Sequence, residues 1–195
     1  MAAQSSLKNM ALCLTLVCLV CSAILGVAYA VTKEPVAAAA QTKTNASIAK
    51  VLPEFSGNAV EGTCDVDGVS YTYYAAPGAG VAVVSVVNGF GGALSVMVGI
   101  TTDGVVYNTA VLSHSETPGL GAKCQSDEGF LKQFRGLDPS ATKLSVKKDG
   151  GDIDAITAST ITSRAYTLAV ANAVKVFAAI NAAPAANEEG GENNE

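Results

Sequence analysis

Histidine is almost missing from the 195-residue chain, where His114 stands alone, and that scarcity limits the available chemistry. A Ser-His-Asp hydrolase or a histidine-based zinc site would have to be built around this one ring. Ser113, Ser115 and Glu116 flank it, but residues one or two apart on a strand or turn do not converge on one point, whereas triads are gathered from separate elements. Metal ligation by thiolate is no better served, because Cys64 and Cys124 show no close ligand spacing. No catalytic residue and no metal ligand is assigned. The chain also lacks a Lys/Arg cluster, and its net charge of -5 argues against a nucleic-acid partner, which needs a basic face. A Rossmann site is excluded too: Gly78-Ala79-Gly80 is not completed to G-x-G-x-x-G and reads as a plain turn.

Charge is absent from Met10 to Val31, and a bilayer core needs ~20 such apolar residues in a helix. The overall hydrophobic content of 49% is high for a soluble domain and is concentrated here. Residues 10–31 are therefore expected to form a transmembrane helix, preceded by a cytoplasmic amino terminus over 1–9. Lys8 is the only charge before the span, so the positive-inside bias places the following domain outside the cytoplasmic membrane. Ala28-Tyr29-Ala30 has the small-x-small form of a signal-peptide cleavage site, but the run exceeds the ~7 to 15 residues of a usual signal core, which favours an uncleaved anchor. Both readings export the domain. Cys13, Cys18 and Cys21 lie inside the run as small hydrophobes. Cys64 and Cys124, in the exported part, form either a disulfide or two buried thiols, and spacing does not choose.

The remainder divides by composition. Residues 32–47 are Ala/Thr-rich without a strong period and suit a linker, with a helix expected from Ser47. Residues 48–183 form the domain, and 184–195, acidic and without apolar period, suit a disordered tail. Within the domain, β-formers over Val69–Tyr74, Val81–Val87, Ala93–Thr101 and Val105–Leu112 predict an antiparallel meander. Asp103-Gly104 marks one hairpin, since a type I′ turn needs positive φ at both central residues. A short helix is expected over Asp127–Arg135, a strand over Leu144–Lys147, and a longer helix over Ser163–Ile180, with Ala165, Leu168, Ala169, Ala173, Val176, Phe177 and Ile180 on one side. The fold class is α+β: an antiparallel sheet flanked by helices, behind one amino-terminal span.

Two segments carry the functional reading. The first, Asp154-Ala155-Ile156-Thr157-Ala158-Ser159-Thr160, ends just before the expected helix, where free backbone N–H groups and the macrodipole favour a phosphate by ~0.3 to 1 kcal/mol per charge. Its plain reading is a Ser/Thr-rich helix entry capped by Thr162 or Ser163. The second, Glu116-Thr117-Pro118-Gly119-Leu120-Gly121, reads alone as a turn in which Pro fixes φ and glycines permit close backbone approach.

Together, in this order and separation, the two segments resemble the flavin-attachment and ring-facing motifs of the RnfG and NqrC FMN-binding family, with Gly89-Phe90-Gly91-Gly92 as a third, weaker match. The resemblance covers roughly Ile48 to Ile180 plus the anchor. It implies FMN joined to Thr160 through a phosphoester. It also implies a cofactor-binding set of Glu116, Thr117, Gly119, Leu120 and Gly121 with Thr157, Ala158, Ser159, Ile161 and Thr162. Thr117 and Leu120 would lie against the isoalloxazine, and Glu116 would orient the loop. Asp154 matches the Asp read by the flavin transferase, which uses FAD as donor with Mg²⁺. The pair Ala158-Ser159 departs from the family's usual Gly-Ala or Ala-Ala.

The resemblance further implies an electron-transfer subunit rather than a stand-alone enzyme. Its partners would be the other subunits of an Rnf-type complex coupling ferredoxin:NAD electron flow to Na⁺ or H⁺ movement. The alternatives are an NqrC-like subunit of a Na⁺-translocating NADH:quinone reductase and a non-redox exported binding domain.

Overall fold

The computed structural model describes residues 7–55, 57 and 59–182; the expected acidic tail and most of the segment 1–9 lie outside the described residues. The chain divides into two compact units, Met1–Lys43 and Thr44–Glu195. The first helix, α1, spans Leu7–Val51. A candidate membrane span runs over Asn9–Val36, its most apolar 18-residue window reaching a mean hydropathy of 2.6, and from Met10 to Val31 no residue is charged, as suits a helix surrounded by lipid. Two threonine hydroxyls inside it are satisfied locally: Thr15 Oγ1 donates to the Ala11 carbonyl at 3.0 Å and Thr32 Oγ1 to the Ala28 carbonyl at 2.8 Å. Residues 32–47, expected as a linker, are helical instead. The Ala37–Ala40 run has strong intrinsic helix propensity without needing an apolar face, which is why periodicity missed it. Pro35 lies within the helix, where its ring removes one backbone donor.

The second unit is built on five antiparallel strands in the order β1-β2-β3-β4-β5: Val60–Val66, Val69–Ala76, Gly80–Asn88, Ala93–Ile100 and Val106–His114. Four match the expected β-forming runs. β1 was hidden in the sequence because Glu61, Gly62 and Asp65 interrupt its β-formers, as suits a half-exposed edge strand. The type I′ turn also sits elsewhere than expected. Asp67 and Gly68, with φ of 53° and 78°, join β1 to β2 in a two-residue loop. At the β4–β5 turn Gly104 takes positive φ and Asp103 does not, and the Thr101 N–H to Val105 carbonyl bond closes a three-residue loop.

Strand alternation creates two cores. Val81, Val83, Leu94, Val96 and Val98 face α3, Thr160–Ala182, while Ala82, Met97, Val84, Ala110 and Leu112 face Ile48, Val51 and Leu52. The helix expected over Asp127–Arg135 is split. Asp127 caps α2, Glu128–Leu131, by accepting the Phe130 N–H at 3.1 Å, and a 3-10 turn follows over Lys132–Phe134. Phe130, Phe134 and Tyr166 pack edge-on or tilted with ring centroids 5.1 to 5.2 Å apart and seal the α3 side. The strand expected at Leu144–Lys147 reduces to one parallel bridge, Val146 to Ile153. Leu168, expected on the buried side of α3, is 53% exposed, whereas Ala165, Ala169, Ala173 and Val176 are buried. Tyr166 and Val170, both fully buried, extend the buried arc of the helix away from Leu168, which leaves Leu168 beyond its edge.

The second core depends on Gly99 in β4, where a Cβ would collide with the Val51 carbonyl and lie 3.0 Å from the Val51 Cβ. Gly99→Ala should therefore push Ile48–Leu52 off the sheet and lower stability by about 1 to 3 kcal/mol, measured by denaturant unfolding of the full-length protein in micelles.

Candidate functional site

Three separate segments meet at the buried carboxylate of Glu116, which is only 5% exposed. Its Oε1 accepts the Phe90 N–H at 2.8 Å and the Gly91 N–H at 3.4 Å, both from the β3–β4 turn. Its Oε2 accepts the Thr162 hydroxyl at 2.8 Å from the first turn of α3. Its own backbone N–H donates to His114 Nδ1 at 3.2 Å, which gives the single histidine a positioning partner at the end of β5. Close approach demands glycine on both sides: a Cβ on Gly89 or on Gly121 would strike the carboxylate. Beyond Glu116 the Leu120 N–H donates to the Thr117 carbonyl at 3.2 Å, with Pro118 and Gly119 central and Gly119 at φ 77°. That is the pattern of a type II turn.

Thr160 is the first residue of α3 rather than the residue before it. The approach is a tight turn in which the Ser159 N–H donates to the Ile156 carbonyl at 3.0 Å and Ala158 takes φ 62°. Ser163 ties this turn to the helix: its hydroxyl accepts the Ile156 N–H and donates to the Ser159 carbonyl, each at 2.9 Å. The Ser159 side chain is buried, and its hydroxyl has no hydrogen-bond partner. The Thr160 hydroxyl, half-buried, accepts from Lys148 Nζ at 3.3 Å. Thr160 opens α3, whose first N–H groups have no intrahelical acceptor.

Between the Glu116 loop and the α3 start lies a pocket of about 350 Å³, a volume in the range of small-molecule sites. Glu116, Thr117, Leu120, Gly121, Ala158, Ser159, Thr160, Ile161 and Thr162 line it, so nine residues singled out from sequence converge in space. Gly119 and Thr157 do not line it. Asp154 stands on an exposed loop, paired with Lys147 Nζ at 2.7 Å. Phe90 was quoted in a glycine turn but not assigned to the site, and it joins the lining through its bond to Glu116. It is 68% exposed, Leu120 45% and Ile161 50%, which gives the mouth an apolar rim over a polar base. Behind the pocket, burial first and the nearby Glu116 second push the Cys124 thiol up to about 11. Cys64 and Cys124 are both free thiols packed with the same core.

A flat apolar ring system with a phosphate tail fits this arrangement. The exposed apolar side chains offer face contacts, while the helix start and the Lys148 ammonium offer favourable potential for an anion.

Two expectations test the framework. Glu116→Ala strands the Phe90 and Gly91 N–H groups and the Thr162 hydroxyl, and should cost about 3 kcal/mol, against about 1 for Glu116→Gln, as read from denaturant midpoints. Ala158→Gly relieves a left-handed conformation that a Cβ disfavours and should raise stability by about 1 kcal/mol.

Residues 89–175, which include both halves of the pocket, match the family model described as an FMN-binding domain. Among relatives, the G subunit of the ion-translocating oxidoreductase complex of Cereibacter sphaeroides is 33% identical over 180 residues, covering 85% of this chain and 82% of its own length. The G subunit of the proton-translocating ferredoxin:NAD(+) oxidoreductase complex of Clostridium ljungdahlii is 35% identical over 181 residues, covering 88% and 92%. The G subunit of the ion-translocating complex of Erwinia tasmaniensis is 46% identical over a shorter stretch of 94 residues, covering 45% and 42%. Likeness over 85 to 88% of the chain, at a third of positions, settles the kinship: the chain belongs to the family of FMN-binding G subunits of ion-translocating oxidoreductase complexes.

Proposed function

We propose that this chain is the membrane-anchored, electron-carrying G subunit of an Rnf-type complex and that it holds one FMN in the pocket, covalently, through a phosphoester to Thr160 Oγ1. The observation that carries the reading is the placement of the Thr160 hydroxyl on the first turn of α3, in the wall of a pocket closed on its other side by the Glu116–Gly121 loop. When bound, FMN supplies one- and two-electron redox chemistry, and the protein supplies position and electrostatics. Phe90, Leu120 and Ile161 provide the apolar contact surface. Glu116 keeps the loop and the helix start at a fixed separation, and the α3 N–H groups face the phosphoryl end.

Attachment is the work of a flavin transferase. It forms the bond from Thr160 Oγ1 to phosphorus, breaks the pyrophosphate of FAD, and releases AMP together with the hydroxyl proton. Asp154 is exposed beside the acceptor turn, where an external enzyme reaches it. The partners are the other subunits of the complex, and the coupled process is electron transfer between ferredoxin and NAD with ion movement, as the names of the relatives describe for them. With no charged residue from Asn9 to Thr32, the span offers no ion pathway of its own. The single Lys8 before it supports a domain outside the cytoplasmic membrane.

The full-length protein co-expressed with a flavin transferase should gain the mass of one FMN less one water and fluoresce in denaturing gels. Thr160→Ala should abolish both signals, and Ser159→Ala should keep them. A wild-type protein that gains no flavin under these conditions would overturn the reading.

A further inference from the structure

The 3-10 turn Lys147–Asp149 presents three charged side chains in succession, and two of them are held by opposite charges. Lys147 Nζ pairs with Asp154 at 2.7 Å. Asp149 is gripped by Arg164 from the second turn of α3 through two bonds of 2.7 Å, and this fork holds the Asp149 carboxyl below its ordinary range. The Val146–Ile153 bridge ties the turn to the strand of chain that leads to the acceptor, and Gly150 at φ 77° closes it. Lys148 lies between these two pairs, and its ammonium donates to the Thr160 hydroxyl oxygen at 3.3 Å. The Asp149 carboxylate also feels the Lys148 charge, but both of its oxygens are taken by Arg164, so the Lys148 ammonium directs its hydrogen bond at a neutral hydroxyl. Held there by its neighbours, it is suited to a ligand that brings negative charge to that oxygen.

We propose that Lys148 is a positioning residue that supplies the counter-charge for the phosphoryl group carried on Thr160, with the Asp149–Arg164 fork fixing its turn against α3. This rests on the covalent FMN reading and adds the residue that neutralises the linkage. Thr160 itself opens α3 and its hydroxyl meets Lys148, so the positive end of the helix dipole and the cation both favour an anion in this neighbourhood. Because Lys148 is exposed, its contribution is that of a surface pair, modest and screened by salt.

The test is a thermodynamic cycle between the modification and the side chain, on full-length protein in micelles with and without attached FMN. Intact mass first establishes loading of the wild type, and absence of FMN there defeats the covalent reading and this assignment together. With loading established, Lys148→Met should lower the melting temperature of the loaded form more than that of the unmodified form, by about 1 to 3 °C. The difference should shrink in 0.5 M salt, roughly as screening requires. Lys148→Arg should retain most of it, and Lys147→Met should shift both forms equally. Failure of Lys148→Met to accept FMN while Lys148→Arg accepts it would also support the charge assignment. Equal shifts in the two forms, the same coupling from Lys147→Met, or failure of both Lys148 variants to load would overturn it while leaving the covalent reading intact.

Discussion

The buried carboxylate of Glu116 is the constraint from which the site follows. A carboxylate removed from water must be met by donors, and here there are three: the Phe90 and Gly91 backbone N–H groups and the Thr162 hydroxyl. These donors belong to two different elements and the carboxylate to a third, so satisfying one charge fixes the β3–β4 turn, the β5 exit and the α3 start relative to one another. Glycine at 89 and 121 is a consequence, since any side chain there would occupy the space of the carboxylate. The pocket is the gap left between elements that cannot approach further.

The same economy governs the acceptor turn. Ala158 is held at positive φ by the turn that precedes α3, and the Ser163 hydroxyl bonds to both sides of that turn. Conformational strain at Ala158 and an unpartnered hydroxyl at Ser159 fall on the two residues immediately before Thr160. Local strain of about 1 to 3 kcal/mol persists only where surrounding structure over-determines it. The surrounding structure here is the sheet-backed α3 with its aromatic seal of Phe130, Phe134 and Tyr166.

Four strands, the long helix and both halves of the pocket were legible in the sequence because each carries a local signal: β-branched runs, an apolar helical period, and two motifs of fixed spacing. What escaped was non-local. β1 has Glu61 and Asp65 among its residues and is a strand because β2 pairs with it. The Ala-rich segment 32–47 needs no apolar face to be helical, so its period was silent. Phe90 and Lys148 belong to the site through partners 26 and 12 residues away, and no spacing rule announces such a contact. Glu116 was legible as a loop residue, but its role as a shared acceptor depended on burial that only the packed sheet creates.

The open rim suits the proposed covalent linkage. A pocket that binds a cofactor tightly without a bond normally encloses roughly 70 to 90% or more of its surface, which would separate a redox ring from other proteins. Here Phe90, Leu120 and Ile161 remain exposed at the mouth, so apolar burial alone supports only moderate affinity. On the proposed linkage, occupancy no longer depends on free flavin concentration, and burial is released from the task of retention. The pocket then needs only to orient the ring, and the exposed edge stays available for electron exchange with neighbouring subunits. On that reading, rigid support at Glu116 and openness at the rim are complementary requirements: the first would fix where the ring sits, and the second would let a partner approach it.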